Sequence, residues 1–376
     1  MTVCDGFLLK PAKLFDGSRI RSDLLIKVTR NGFCHLVKNS ESGGVAPKII
    51  DGILSVGFVD LQVNGGGGVL FNTDPTPETL KAILAAHRRF GSVAILPTVI
   101  TDAKYVLEKA VEAVIESKHQ PGIIGIHIEG PHIALEQRGA HAARFVRLYD
   151  PGTFQLVQNL RLKEIPVMIT LAPEVVSMKD IEALSETGAI VSLGHTNASL
   201  HLANEALSHG ACAFTHLFNA MPAMRNRKPG IVAAALNSDC YTSIIGDGFH
   251  VDDEILKFAI RARPVKDRLF IVSDAMPTIG GPSSFKLYGS AITLKKGRLI
   301  NSEGKLAGAH ITMAGTVKRF VSALGVAIED ALKMAISVPA NLINRPDLAS
   351  LENRHVKDLI CLDDDLNFER DLMDII

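Results

Sequence analysis

The chain has 376 residues, with 40 basic and 40 acidic side chains and a formal net charge of zero. That length suits one large α/β domain with a smaller satellite. The balanced charge excludes the basic footprint of a nucleic-acid binder or an anionic-membrane protein, and no basic stripe interleaves with aromatics. The five cysteines, Cys4, Cys34, Cys212, Cys240 and Cys361, are widely spaced and form no C-x-x-C pair. They read as reduced thiols of a cytoplasmic protein, not as a disulfide framework or a zinc ribbon. The first residues carry Asp5, Lys10 and Lys13 and lack the apolar core of a signal peptide. The longest charge-free windows, around 187–204 and 206–224, contain His, Asn, Gly or Pro. A membrane-spanning helix needs ~20 mostly apolar residues, so no span is expected.

Residues 1–54 hold short β-like runs broken by turns: FLLKPAKLF, DLLIKV, CHLV and KIIDG. A βα alternation follows. Its predicted strands are 56–61, 93–98, 124–129, 166–172, 189–195, 212–216, 242–247 and 269–274. Short continuous apolar runs of this kind mark strands buried on both faces. Helical periodicity appears at 77–90, 103–117 and 252–262, and Thr76 before Pro77 makes a helix start. Residues 284–306 and 356–368 again read as strands and hairpins. The expected fold is α/β: a (β/α)8 TIM-type barrel over 55–284, with a small β domain built from 1–54 and 285–376. Within the second piece, 307–345 is expected to be partly helical and to pack on the barrel. A doubly wound open sheet is the alternative.

Five of the apolar runs end on a residue able to bind metal or move a proton: Glu129, His195, His216, Asp247 (with His250 three residues on) and Asp274. In α/β barrels the carboxyl edge of the strands carries the active site, so these residues are expected to converge. Glu129, His195 and His216 form a plausible metal set of two imidazoles and a carboxylate, suited to zinc or ferrous iron with a position left for water. Each His read alone is as well explained as a hydrogen-bonded core residue. Asp274 fits a general acid-base; a helix N-cap is the other reading of SDAM. The stretch 215–230, THLFNAMPAMRNRKPG, reads as a long active-site loop. Asn219 could bind a ligand there, and Arg225, Arg227 and Lys228 could meet an anion or form a solvated cluster. The glycines at 65–68 lack the following Lys-Ser/Thr of a P-loop and read as a tight turn after the first barrel strand. His141, in RGAH, could polarise a carbonyl or be a surface loop residue.

Together, GFVDLQVNGGGG, GIHIEGPHI with RGAH, VSLGHTNAS, THLFNAMPAMRNRKPG, GDGFHVD and IVSDAM resemble the N-acetylglucosamine-6-phosphate deacetylase family of the amidohydrolase superfamily. The resemblance runs from about residue 50 to 345 in consistent order. It implies a barrel with a small β-sandwich from both chain ends. It also implies hydrolysis of an N-acetyl amino sugar phosphate by metal-activated water, and a homodimer. Glu129, His195 and His216 would hold one divalent ion per chain, zinc first, with ferrous iron, manganese or cobalt as alternatives. Asp274 would be the acid-base, and His141 would orient or polarise the acetyl carbonyl. Gln62, Ala140, Asn219, Ala220, Arg227, the loop Asp247, Gly248, Phe249 and His250, and Leu306, Ala307 and Gly308 would contact or border the substrate. Many superfamily relatives place His-x-His after the first strand to hold a second metal. Gln62-Val63-Asn64 stands there instead, and no lysine ends the fourth strand. Both departures favour a single metal. The C-terminal stretch RPDLASLENRHVKDL departs from the family's glycine-rich turn. The galactosamine epimer or another N-acetyl sugar phosphate as substrate, and a non-catalytic amidohydrolase-like scaffold, are the rival readings.

Overall fold

The computed structural model describes residues 6–41, 46–302 and 304–372; Cys4 lies outside them. Eight parallel strands follow one another: β1 (Phe58–Val63), β2 (Ser92–Ile100), β3 (Ile126–Glu129), β4 (Val167–Leu171), β5 (Ile190–Leu193), β6 (Ala213–Phe214), β7 (Tyr241–Ile245) and β8 (Leu269–Val272). Each hydrogen-bonds to its sequence neighbour. Every strand residue except Tyr241 is buried, which is why the runs lack polar alternation. The ring closes just past β8. The Asn64 and Gly65 N–H groups both donate to the Ala275 carbonyl, at 2.9 and 3.0 Å. The Ser273 N–H donates to the Asp60 carboxylate at 3.2 Å. This closure makes a barrel and rules out the open doubly wound sheet.

The helices form where the periodicity predicts them. Helix Pro77–Arg88 starts on Thr76, whose hydroxyl accepts from the Thr79 N–H, and Leu80, Ile83, Leu84 and His87 bury its inner stripe. Helix Lys104–Glu116 buries Val106, Leu107, Ala110, Val111 and Val114. Helix Asp253–Ala262 is capped by Asp252. Among the described residues no helix is long and apolar enough to cross a membrane.

Both chain ends pair in a seven-stranded sheet. Strand Lys48–Val56 runs parallel to Gly6–Phe15 and antiparallel to Leu359–Leu362. Leu24–Thr29, Cys34–Lys38 and Phe368–Asp371 extend this sheet, with Ile20–Arg21 attached to its side. The predicted strands at 284–306 do not join it. Ser284–Leu287, Ser290–Lys295 and Arg298–Ile300 make a separate three-stranded antiparallel sheet. Its apolar side chains Leu287, Ile292 and Leu299 bury with Leu70, Ile100 and Met276, so its inner face is used beside the barrel mouth. Residues 307–345 contain helices Met313–Ser322, Ile328–Ala335 and Ser337–Leu342, whose buried faces join the main core.

Candidate active site at the barrel mouth

Glu129 is the last residue of β3, while His195, His216 and Asp274 each stand two residues beyond β5, β6 and β8. The last three share left-handed backbones, with φ of 49°, 32° and 47°. Such conformations are uncommon outside glycine and persist where packing enforces them, typically at functional sites. Asp274 starts no helix, which removes the cap reading; its carboxylate accepts from Asn64 and Gln62 instead.

The ligand atoms meet closely. His195 Nε2 lies 3.2 Å and His216 Nε2 2.9 Å from Glu129 Oε1, and the two ring nitrogens are 3.0 Å apart. His141 Nε2 is 3.9 Å from Glu129 Oε2, and Glu129, His141 and His195 together make a geometrically possible metal cluster. The tautomers test whether a cation fits. His195 Nδ1 is 2.8 Å from the Gln137 carbonyl, which can only accept, so Nδ1 carries the hydrogen. In the neutral ring Nε2 then turns a lone pair toward a carboxylate oxygen and another imidazole nitrogen. That crowding calls for a positive charge among the three atoms. Zinc–nitrogen bonds of about 2.0–2.1 Å in a tetrahedron put ligand atoms roughly 3.3 Å apart, close to these separations. The donor set fits a divalent metal.

Electrostatics separate the roles. Burial pushes the Asp274 carboxyl up to about 6, and the Glu129 charge adds to the shift. Burial opposes ionisation of Glu129 too, but the imidazoles of His195 and His216 against its carboxylate outweigh it and hold Glu129 well below the usual range. Burial drives His141 down to about 3, so that ring is neutral. Its Nδ1 lies 2.8 Å from Thr101 Oγ1. Asp247 accepts from His250 Nδ1 at 2.7 Å and from the backbone N–H groups of Phe249 and His250, fixing the loop after β7.

Glu129, His141, His195, His216, His250 and Asp274 share a cavity of about 200 Å³. Of the expected substrate residues, Ala140, His141, Asn219, Ala220, His250, Leu306 and Gly308 line it, as do Glu129, His195, His216 and Asp274. Others stand back. Gln62 is fully buried behind the two carboxylates. Ala307 packs with Leu70 and Met276, and Asp247 lies behind His250. A Cβ on Gly248 would meet Arg319 Nη2 at 2.3 Å, so that glycine gives room to an arginine. Phe249 carries the Arg298 guanidinium 4.7 Å from its ring centroid. Arg227 is exposed on the 215–229 loop, and among the described residues no Lys or Arg lines the cavity. The lining also includes Asn64, Ile100, Gly139, Ile245 and Met276, which sequence reasoning did not single out. Asn64 was within its reach, because it follows Gln62 by two and shares its face of the strand. Thr101 and Gln137, which hold the histidines, gave no such signal.

No family model matches the chain. A protein of Shewanella sp. (strain ANA-3) named N-acetylgalactosamine-6-phosphate deacetylase is 38% identical over 375 residues, covering 97% of this chain and 93% of its own. A Haemophilus influenzae N-acetylglucosamine-6-phosphate deacetylase is 34% identical over 314 residues, 81% of each. The crystal structure of N-acetylglucosamine-6-phosphate deacetylase from Pasteurella multocida superposes with a TM-score of 0.89 at 31% identity, covering 96% of this chain and 97% of that one. Sequence, fold and the cluster of Glu129, His195, His216 and Asp274 therefore agree that this chain belongs to the N-acetylglucosamine-6-phosphate deacetylase family of amidohydrolases.

Proposed function

We propose that the protein hydrolyses the N-acetyl group of N-acetyl-D-glucosamine 6-phosphate, giving D-glucosamine 6-phosphate and acetate. The observation that carries this is the meeting of two imidazole nitrogens, a ligand carboxylate and a second, raised-pKa carboxylate in one cavity. Glu129, His195 and His216 would hold one divalent ion, zinc by donor type, which would acidify a water and polarise the acetyl carbonyl. Asp274 takes the water's proton and returns it to the departing amine. The Thr101 hydroxyl can donate to His141 Nδ1 at 2.8 Å or to the Glu129 carbonyl at 3.3 Å. When the hydroxyl donates to His141 Nδ1, Nε2 carries the ring's hydrogen and can donate to the developing oxyanion. Asn219, Ala220, His250, Leu306 and Gly308 bound the space for the sugar.

The Shewanella relative favours a second reading, the N-acetyl-D-galactosamine 6-phosphate epimer. Acetate release from both epimers under identical conditions separates the two, and release from neither would overturn the function. The non-catalytic scaffold is disfavoured, since the ligand set and Asp274 are all in place. The phosphate binds Arg227, carried by the partner subunit of a cytoplasmic homodimer. Among the described residues no Lys or Arg lines the cavity, which supports this, and the free thiols of Cys34, Cys212 and Cys240 suit a reducing compartment. Sedimentation showing a fully active monomer would remove the dimer. The chain divides, on this reading, into a barrel over 55–284 and a small domain from 1–54 and 285–376, the 284–300 sheet and the 307–345 helices of that second piece packing on the barrel.

A further inference from the structure

Strand β1 brings two neutral amides against the acid-base. Gln62 and its second neighbour Asn64 face the barrel interior and have no exposed surface. Asn64 Nδ2 donates to Asp274 Oδ1 at 2.7 Å. Gln62 Nε2 donates to the same oxygen at 3.2 Å and to Glu129 Oε1 at 3.0 Å. A carboxylate only accepts, so both amides must turn their nitrogens this way. Their oxygens, Gln62 Oε1 and Asn64 Oδ1, are buried without a protein partner among the described residues. The sites are thus arranged around the nitrogens at the expense of the oxygens. The backbone reinforces this, because the Asn64 N–H is bonded to the carbonyl of Ala275, the residue after Asp274.

We infer that Gln62 and Asn64 are positioning residues for the hydrolysis, acting through Asp274. Two N–H donors occupy Oδ1 and fix the plane of the carboxylate. Oδ2 is left as the oxygen free to take and return the proton. Gln62 has a further task. Glu129 and Asp274 are buried like charges, and its single NH2 gives one hydrogen to each. It links the ligand carboxylate to the acid-base without adding charge. Neither amide needs to touch the sugar; the role assigned to Gln62 is mechanical.

The inference rests on the proposed deacetylation, so wild-type acetate release is measured first; a wild type that releases none overturns that reading. With an active wild type, Asn64→Leu and Gln62→Met remove the donors at similar size. Each should lower kcat by about 10- to 100-fold and move KM by less than about threefold. Metal content by elemental analysis should stay at the wild-type level. The deciding measurement is a double-mutant cycle with Asp274→Asn. If the amides act through Asp274, Asn64→Leu should cost less than about twofold once Asp274→Asn is present. Substrate affinity, read by calorimetry on the slow Asp274→Asn and Asp274→Asn/Asn64→Leu proteins, should agree within about threefold. Multiplying losses in the cycle, or wild-type kcat in both single variants, would overturn the positioning role while leaving the deacetylase reading intact. Gln62→Met carries the same cycle if Asn64→Leu does not fold.

Discussion

Replacing Asp274 with asparagine tests the chemistry most directly. The Oδ1 position faces Asn64 Nδ2 at 2.7 Å and Gln62 Nε2 at 3.2 Å, and only an acceptor can sit there. The new side chain should therefore place its amide oxygen at that position and turn its NH2 to where Oδ2 stood. A donor would then occupy the site where a base is required. General acid-base groups contribute typically 10²- to 10⁴-fold, so the barrier should rise by about 3–5 kcal/mol. The fold should not suffer. Burial and Glu129 push the carboxyl up to about 6, so ionised Asp274 is a buried burden that the neutral amide lifts. The assay pairs acetate release with elemental analysis and a thermal midpoint of the metal-free protein. We expect lost turnover, retained metal and a midpoint equal to or above wild type. A variant hydrolysing at near-wild-type rate with metal bound would refute the reasoning, and a collapsed midpoint would show Asp274 to be a structural residue.

Protein purified without added metal should hold about one divalent ion per chain, and chelation should abolish turnover reversibly; a reproducible second ion at the site would sink the single-metal reading. Arg227→Ala should damage activity on the 6-phosphate severely, by a few kcal/mol of binding, and hardly change the poor activity on unphosphorylated N-acetyl sugar. Equal losses on both substrates would mean that Arg227 supports structure. Gly246→Ala should lower the unfolding midpoint, because its Cβ would meet Phe320 Cε2 at 2.4 Å and Thr316 Cγ2 at 2.6 Å. Overpacking of this kind costs about 1–3 kcal/mol, and an unchanged midpoint would show that the Met313–Ser322 helix yields freely.

The barrel was legible because its strands are buried on both faces, so each appears as a short apolar run, five of them closed by a residue able to bind metal or move a proton. Predicted limits miss by one or two residues where a strand end is also a site, as at 189–195, where the ladder stops at Leu193 before the left-handed turn of His195. The sheet at 284–300 was misplaced for a physical reason. Alternation reveals that Leu287 and Ile292 share a buried face but not which surface covers it. The metal ligands could be found because they are chemically distinctive. Gln137 could not, since it acts through a carbonyl that every residue has. The resemblance put Gln62 among the substrate residues; its contacts with Glu129 and Asp274 come from neighbours that a sequence position does not reveal.

The closure of the barrel sets an order of assembly. Glu129, His195 and His216 lie on strands that pair with sequence neighbours, so their cluster needs only local strand addition. Asp274 meets Asn64 across 210 positions of chain, far more than separates neighbouring middle strands. A folding chain that has laid down its middle strands already has what it needs to capture a cation, yet has no proton carrier beside it. Regain of hydrolysis after denaturation should accordingly trail regain of helical circular dichroism and of metal uptake. Simultaneous recovery of all three signals would contradict this sequence. The seam between first and last strand thus ties completion of the proton carrier to closure of the ring.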